Sequence, residues 1–265
     1  MENQEYKTEN EKAIVEYNIV KHNDLIQRSR HYLSTQEQKI ILYLISHIKP
    51  DDSFLKLYEF KIIEFCEICG IDETSGRNYS SLKNTIKKLA DKSFWITLDN
   101  GNETIIRWIE RPYIDPINNV IKIKLDELMK PYLLELKNHF TVYNLYFTLA
   151  MKSKYSLRIY ELLKSYQNMG QCEFEIEQLK KILFAEKYHR YQDFRVKVIE
   201  LAIKEINEYS DLIVTYKLQK EGRKFNKIYF YMTLKKDTEE RIKVFKKIQG
   251  RKKINKKNSE QSELI

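Results

Sequence analysis

The chain of 265 residues carries 47 Lys+Arg against 38 Asp+Glu, a formal charge of +9 and a pI near 9.1. That balance favours nucleic acid or an anionic surface as partner without choosing between them. Hydrophobic residues at 42% with only 6 Gly and 4 Pro point to a sizeable core and few flexible linkers. The sequence has no apolar run near 18 residues and no charged stretch leading into an apolar one, so neither a membrane span nor a signal peptide is expected, and the cytoplasm is.

Residues 1–16 hold five Glu against Lys7 and Lys12, and 1–13 are read as a flexible acidic arm. A short strand is predicted over 17–20 and the capped start of a short helix at Asn23. Leu33-Ser34-Thr35-Gln36-Glu37 is a capping box with Ser34 as N-cap and Glu37 at N3. Its helix is predicted to reach Ile48, with Ile40, Ile41, Leu44, Ile45 and Ile48 inward. A second helical pattern spans 60–71 and closes at Gly70. Within it, Cys66-Glu67-Ile68-Cys69 has the spacing of half a zinc site. No second pair accompanies it and the five histidines are scattered, so a core reading is preferred, and neither metal nor cofactor is expected. A third helix over 79–91 carries the stripe Leu82, Ile86, Leu89, with Lys83, Lys87 and Lys88 off it. Strands over 94–98 and 104–109 follow, joined through Asp99-Asn100-Gly101-Asn102, a hairpin signal, and 120–124 is another strand.

The same order then returns. Ser34 is echoed by Ser153, Phe60 by Phe174, Ile86 by Ile203 and Ser93 by Ser210, at offsets of 119, 114, 117 and 117, which indicates duplicated domains rather than a solenoid. The fold class is α+β, two tandem winged-helix domains with short antiparallel wings. Their bounds are 14–130 and 131–234, with 132–149 as a helical bridge and a basic tail over 235–265.

In the second domain, Phe194, Val198, Leu201, Ala202, Ile206 and Tyr209 form the apolar face of a helix, with Arg195, Lys197 and Lys204 off it. Strands over 212–216 and 227–231 flank a turn over 217–226. Counting Lys227, five cations (Lys217, Lys220, Arg223, Lys224, Lys227) stand there against Glu221. An exposed hairpin has little structural reason to be so basic, and a polyanion is the indicated partner. Arg195 and Lys197 lie at the end of the helix that meets base edges in such folds, where arginine pairs bidentately with guanine. Lys83, Lys87 and Lys88 read equally as DNA contacts or as a solvated helix face.

Lys21-His22-Asn23-Asp24-Leu25-Ile26, Leu33 through Lys39, and Ile48-Lys49-Pro50-Asp51 resemble the opening signature of iteron-type plasmid replication initiators. Residues 153–163 resemble their central signature, and Phe194-Arg195-Val196-Lys197 with Glu205-Ile206-Asn207 their second recognition helix; the match covers about 14–234. The resemblance implies two winged-helix domains on double-stranded origin DNA with direct repeats. The second carries much of the contact, and the first also serves homodimerisation. Partners implied are the host replication initiator and the replicative helicase. Arg158 and Glu205, embedded in these motifs, are read as a salt bridge between two helices of the second domain. Catalysis finds no support: the phosphate-cradling Gly-x-x-x-x-Gly-Lys-Ser/Thr loop is absent, and no His-hydrophobe-His or Ser/His/Asp set stands out. The reading is a noncatalytic DNA binder that starts plasmid replication, with repression of its own gene as an added role. Its rivals are a tandem winged-helix transcriptional regulator and a membrane-surface protein anchored by its tail.

Overall fold

A computed structural model describes residues 17–49, 51–71, 78–98, 100–134 and 136–235. The acidic arm and the tail beyond Lys235 lie outside the described residues. The first unit opens with strand β1 (Asn18–His22) and helix α1 (Asn23–Gln27), capped by the His22 ring, whose Nδ1 accepts from the Asp24 amide at 3.2 Å. Helix α2 (Thr35–Ile45) begins at the anticipated capping box, Ser34 and Glu37 each accepting from the other's amide. Two donors that every helix start leaves open are thereby satisfied. The helix stops short of Ile48 because Ser46 Oγ (2.7 Å) and His47 Nδ1 (2.8 Å) both turn back onto the Tyr43 carbonyl, a side-chain competition with the backbone ladder.

The stretch over 60–71 begins as strand and only then becomes helix. Strand β2 (Tyr58–Lys61) places Phe60 opposite Ile121, and helix α3 (Ile62–Cys69) buries Cys66 and Cys69 before Gly70 closes it at φ 68°. Helix α4 (Asn78–Ala90) buries Leu82, Ile86 and Leu89. The predicted hairpin follows as β3 (Ser93–Thr97) and β4 (Glu103–Arg107). Strands β5 (Tyr113–Asp115) and β6 (Val120–Ile123) complete a separate antiparallel sheet in the order β2-β6-β5.

Residues 132–149 are not a helical bridge. After the four-residue α5 (Lys130–Leu133), strand β7 (Phe140–Asn144) runs antiparallel to β1, and the short α6 (Tyr146–Leu149) follows. Thr141 and Tyr143 point inward while Phe140 and Val142 are exposed. This alternation is the strand period, which here outweighs the helical spacing.

The second unit consists of α7 (Lys154–Ser165), β8 (Gln171–Glu175), α8 (Ile176–Ile182), a long helix α9 over 191–209, and strands β9 (Leu212–Glu221) and β10 (Lys224–Leu234), with sheet order β8-β10-β9. Ser153 caps α7, accepting from the Tyr155 amide at 3.2 Å, as Ser34 caps α2. Helix α9 is irregular: Arg195–Glu200 forms a π segment between Tyr191–Phe194 and Leu201–Tyr209. The wider turn brings Ile199 into the core beside Phe194, Val198, Ala202 and Ile206 and leaves Leu201, expected inward, partly in solvent. A π segment carries more residues per turn than the regular spacing assumes.

Helix α7 is where the units meet. Lys21 of β1 forms a buried ion pair with Glu161 of α7, which also accepts from the Tyr143 hydroxyl of β7. Arg158 donates to the Ser29 carbonyl at 2.8 Å. The expected Arg158–Glu205 salt bridge does not form. Arg158 faces the first unit, and the Glu205 carboxylate accepts from the Lys152 and Ser153 amides, both at 3.1 Å. Unsatisfied amides at a helix start, backed by the helix dipole, are strong partners for a carboxylate. Burial alone pushes Glu161 up, yet the charges of Lys21 and Arg158 and the hydrogen bonds from Lys21 and Tyr143 together hold it below the usual carboxylate range. Thr35 Oγ1 on the Lys152 carbonyl (2.9 Å) and Lys39 Nζ on that of Leu149 (2.7 Å) fasten α2 to the approach of α7.

Candidate nucleic-acid interface

The exposed end of α9 and the β9-β10 hairpin converge on one face. The Tyr191 ring, at the helix start, lies 4.7 Å from that of Phe225 on β10. Lys220, paired opposite Phe225 in the sheet, sets its ammonium 4.9 Å over the same ring. Further along, the Tyr216 hydroxyl reaches Glu200 at 3.4 Å, and Arg195 Nε lies 3.4 Å from the same Glu200 oxygen without hydrogen-bond geometry. That Arg195–Glu200 approach is a five-residue spacing, which the π segment makes available. Lys197 projects from the same end and pairs with Asp193 at 3.3 Å. Lys204 is exposed two turns further on.

Sequence reasoning missed the loop that precedes this helix. Lys187, Tyr188, His189 and Arg190 join Asp193 and Lys197 around an open cleft of about 450 Å³. The run Lys187-Tyr188-His189-Arg190 was visible as a basic stretch just before a helix start, where backbone amides also face outward.

The hairpin is longer and its turn tighter than expected. Both strands continue through most of the presumed loop, leaving Gly222 at φ 61° and Arg223 as the connection. Lys217, Lys220 and Lys224 are therefore strand residues, and the pleat distributes the five cations. Arg223 and Lys224 sit exposed at the tip and Lys220 on the helix side. Lys217, odd in register with Lys220, lies on the far face with its ammonium 5.6 Å from the Tyr231 ring. Lys227 is on that far face too, 3.0 Å from Glu173, which raises its ammonium above the usual value. In the first unit Lys83, Lys87 and Lys88 lie exposed on α4, and Lys87 pairs with Asp91 at 2.6 Å. Among the described residues no His/Cys/Asp/Glu group is placed to hold a metal ion, and no helix is long and apolar enough to cross a membrane.

Residues 18–164 match the family described as Initiator Replication protein, WH1, and residues 175–232 match Initiator Rep protein, WH2. The chain belongs to the initiator replication protein family. Its two winged-helix regions are those matched ranges, the first of which takes in α7 almost to its end. Among curated relatives, a replication initiation protein of Escherichia coli is 25% identical over 218 residues, 78% of this chain and 66% of its own length. The PI protein of Escherichia coli is 29% identical over 152 residues, 50% of this chain and 49% of its own length. The chain thus spans about two thirds and one half of these relatives.

Proposed function

We propose that this initiator-family protein binds direct repeats of a plasmid origin as duplex DNA and starts replication there without catalysing a covalent step. The observation that carries the reading is the shared face of the second unit, where the start of α9 and the helix side and tip of the hairpin bring Arg195, Lys197, Lys220, Arg223 and Lys224 together. In this reading α9 enters the major groove. Arg195, with Lys197, meets base edges, and Lys204 lies along the groove wall. The hairpin tip meets phosphates. Lys217 and Lys227, on the far face, lose their place as primary contacts, while Lys83, Lys87 and Lys88 make a weaker, sequence-independent contact from the first unit. Homodimerisation through the first unit and encounters with a host initiator and helicase belong to the same reading, as does the division near residue 130. Footprinting on DNA flanking the gene tests it. Protection of several direct repeats is the expected result. A single protected operator at a promoter, on DNA unable to support replication, favours the transcriptional regulator instead.

A further inference from the structure

The first unit carries an apolar groove of about 580 Å³ that no DNA-reading element uses. One wall is the outward face of β1 and β7, where Val20 stands opposite Val142 and Phe140 lies two residues along. The end of α2, with Ile48, and the segment after α5 make the other walls. Phe140 and Val142 are 42% and 43% exposed, and apolar surface of this kind gains free energy when something covers it. Lys49 and Lys137 stand exposed at the edges of the groove, and among the described residues no acid lines it.

Residues 1–16 lead into this groove's edge at Tyr17. The Tyr17 carbonyl accepts from the Leu145 amide at 2.9 Å, and its ring meets those of Tyr146 at 5.5 Å and His47 at 6.1 Å. His47 is the chain neighbour of Ile48, so the segment starts from a point fixed beside the groove. Three residues of extended chain span at most about 11 Å, which keeps Ile14 and Val15 within reach of it. Ala13-Ile14-Val15 is the longest apolar run in that segment, and Glu9, Glu11 and Glu16 stand around it beside Lys12.

An apolar run flanked by carboxylates is complementary to an apolar groove edged with lysines. A second copy of the chain suits it less, because a two-fold contact sets one patch on itself and would bring Lys49 and Lys137 toward their own counterparts. A tethered segment also acts at an effective concentration of about a millimolar, an advantage that a free partner lacks. We propose that residues 1–16 fold back over this groove, with Ile14 and Val15 on Val20, Ile48, Phe140 and Val142 and the glutamates toward Lys49 and Lys137. The acidic arm is an intramolecular cover for a docking surface of the first unit, and it takes no part in duplex reading by α9.

The full chain is compared with full-length Ile14→Asp/Val15→Asp by methyl NMR of Val20 and Val142 and by binding of an uncharged apolar dye. The double variant should shift both sets of methyl signals. It should also bind the dye about ten-fold more tightly, since burying one such side chain is worth a factor of that order. A labelled peptide of residues 1–16 should bind the double variant and not the parent, whose own arm outcompetes it. Lys137→Glu should raise dye binding by a smaller factor, and adding Glu11→Lys and Glu16→Lys to it should lower dye binding again. Identical methyl signals and dye binding in parent and double variant would overturn the proposal, as would a peptide that binds the parent equally well. Groove methyls that shift with protein concentration in the parent, and not with the arm substitutions, would give the groove to a second copy and overturn it too.

Discussion

The two winged-helix units use one plan to different ends. In the first, the hairpin is short, turns at a neutral Asn100-Gly101 pair and stands apart from the β2-β6-β5 sheet. In the second, strands β9 and β10 run to 10 and 11 residues and join β8 in one sheet with a basic tip. Each unit also ties its serine-capped helix to the region of its last helix through a carboxylate, with the roles reversed. Glu37 sits on α2 and is reached by Lys92 from beyond α4, whereas Glu205 sits on α9 and reaches back to amides before α7. The scaffold is shared and the charge is not: the basic hairpin tip belongs to the second unit, while the first hairpin turns at a neutral pair. The units are joined through Glu161, whose two cations come from opposite sides of the seam.

The largest effect should come from breaking that joint. Glu161→Gln strands Lys21 and Arg158 without a counter-charge, at a cost of about 3–5 kcal/mol. Urea denaturation should show one transition moved to lower denaturant. Two transitions, with only one of them moved, would mean that the units unfold separately. Next comes the reversed carboxylate. Glu205→Gln weakens charge-assisted bonds to the start of α7 and should cost about 1.5–3 kcal/mol; an unchanged melt would remove Glu205 as a cap.

His31 should give the seam a pH dependence. It packs edge-on against Trp108 at 4.8 Å. Burial, followed by the charges of Arg158, Lys21 and Lys92, holds its imidazole well below the usual histidine value. Its folded pKa lies below the unfolded one near 6.5, so the unfolded chain binds the extra proton first. The stabilisation is complete above that value and is lost as pH falls below it, by up to about 1.4 kcal/mol per pH unit. Stability measured between pH 7 and 5 should fall less steeply in His31→Phe, and parallel slopes would count against the assignment. The smallest effect is electrostatic. Changing Arg223 and Lys224 to Ala should flatten the dependence of log affinity on log salt by up to about two units, at about 0.9 per phosphate. Changing Lys83 and Lys88 should flatten it less; an equal change from both pairs would erase the difference between the units.

Much of this architecture was readable locally. Ser34 with Glu37, Ser153, Gly70 and the stripe Leu82, Ile86, Leu89 announce themselves because caps and helical faces depend on neighbours a few residues away. The strand over residues 140–144 is not legible locally, because its partner, β1, lies about 120 positions earlier in the chain. The π segment is hidden for a different reason: an apolar stripe read at regular helical spacing has no place for an extra residue, so that spacing puts Leu201 inward in place of Ile199. Shared motifs pair Glu205 with Arg158, whereas the amides it accepts from have no signature in a list of side chains.

The central claim, that the second unit reads sequence through the start of α9, is tested most directly by Arg195→Lys. The substitution keeps the charge and removes the planar fork that makes two parallel bonds to one guanine. Affinity is measured at one salt concentration on duplex carrying the origin repeat and on a scrambled duplex. The expected result is a loss of about 1–3 kcal/mol on the repeat with the scrambled duplex bound almost as before. Equal losses on both would make Arg195 a phosphate contact, and no loss on either would contradict the placement of α9 in the groove.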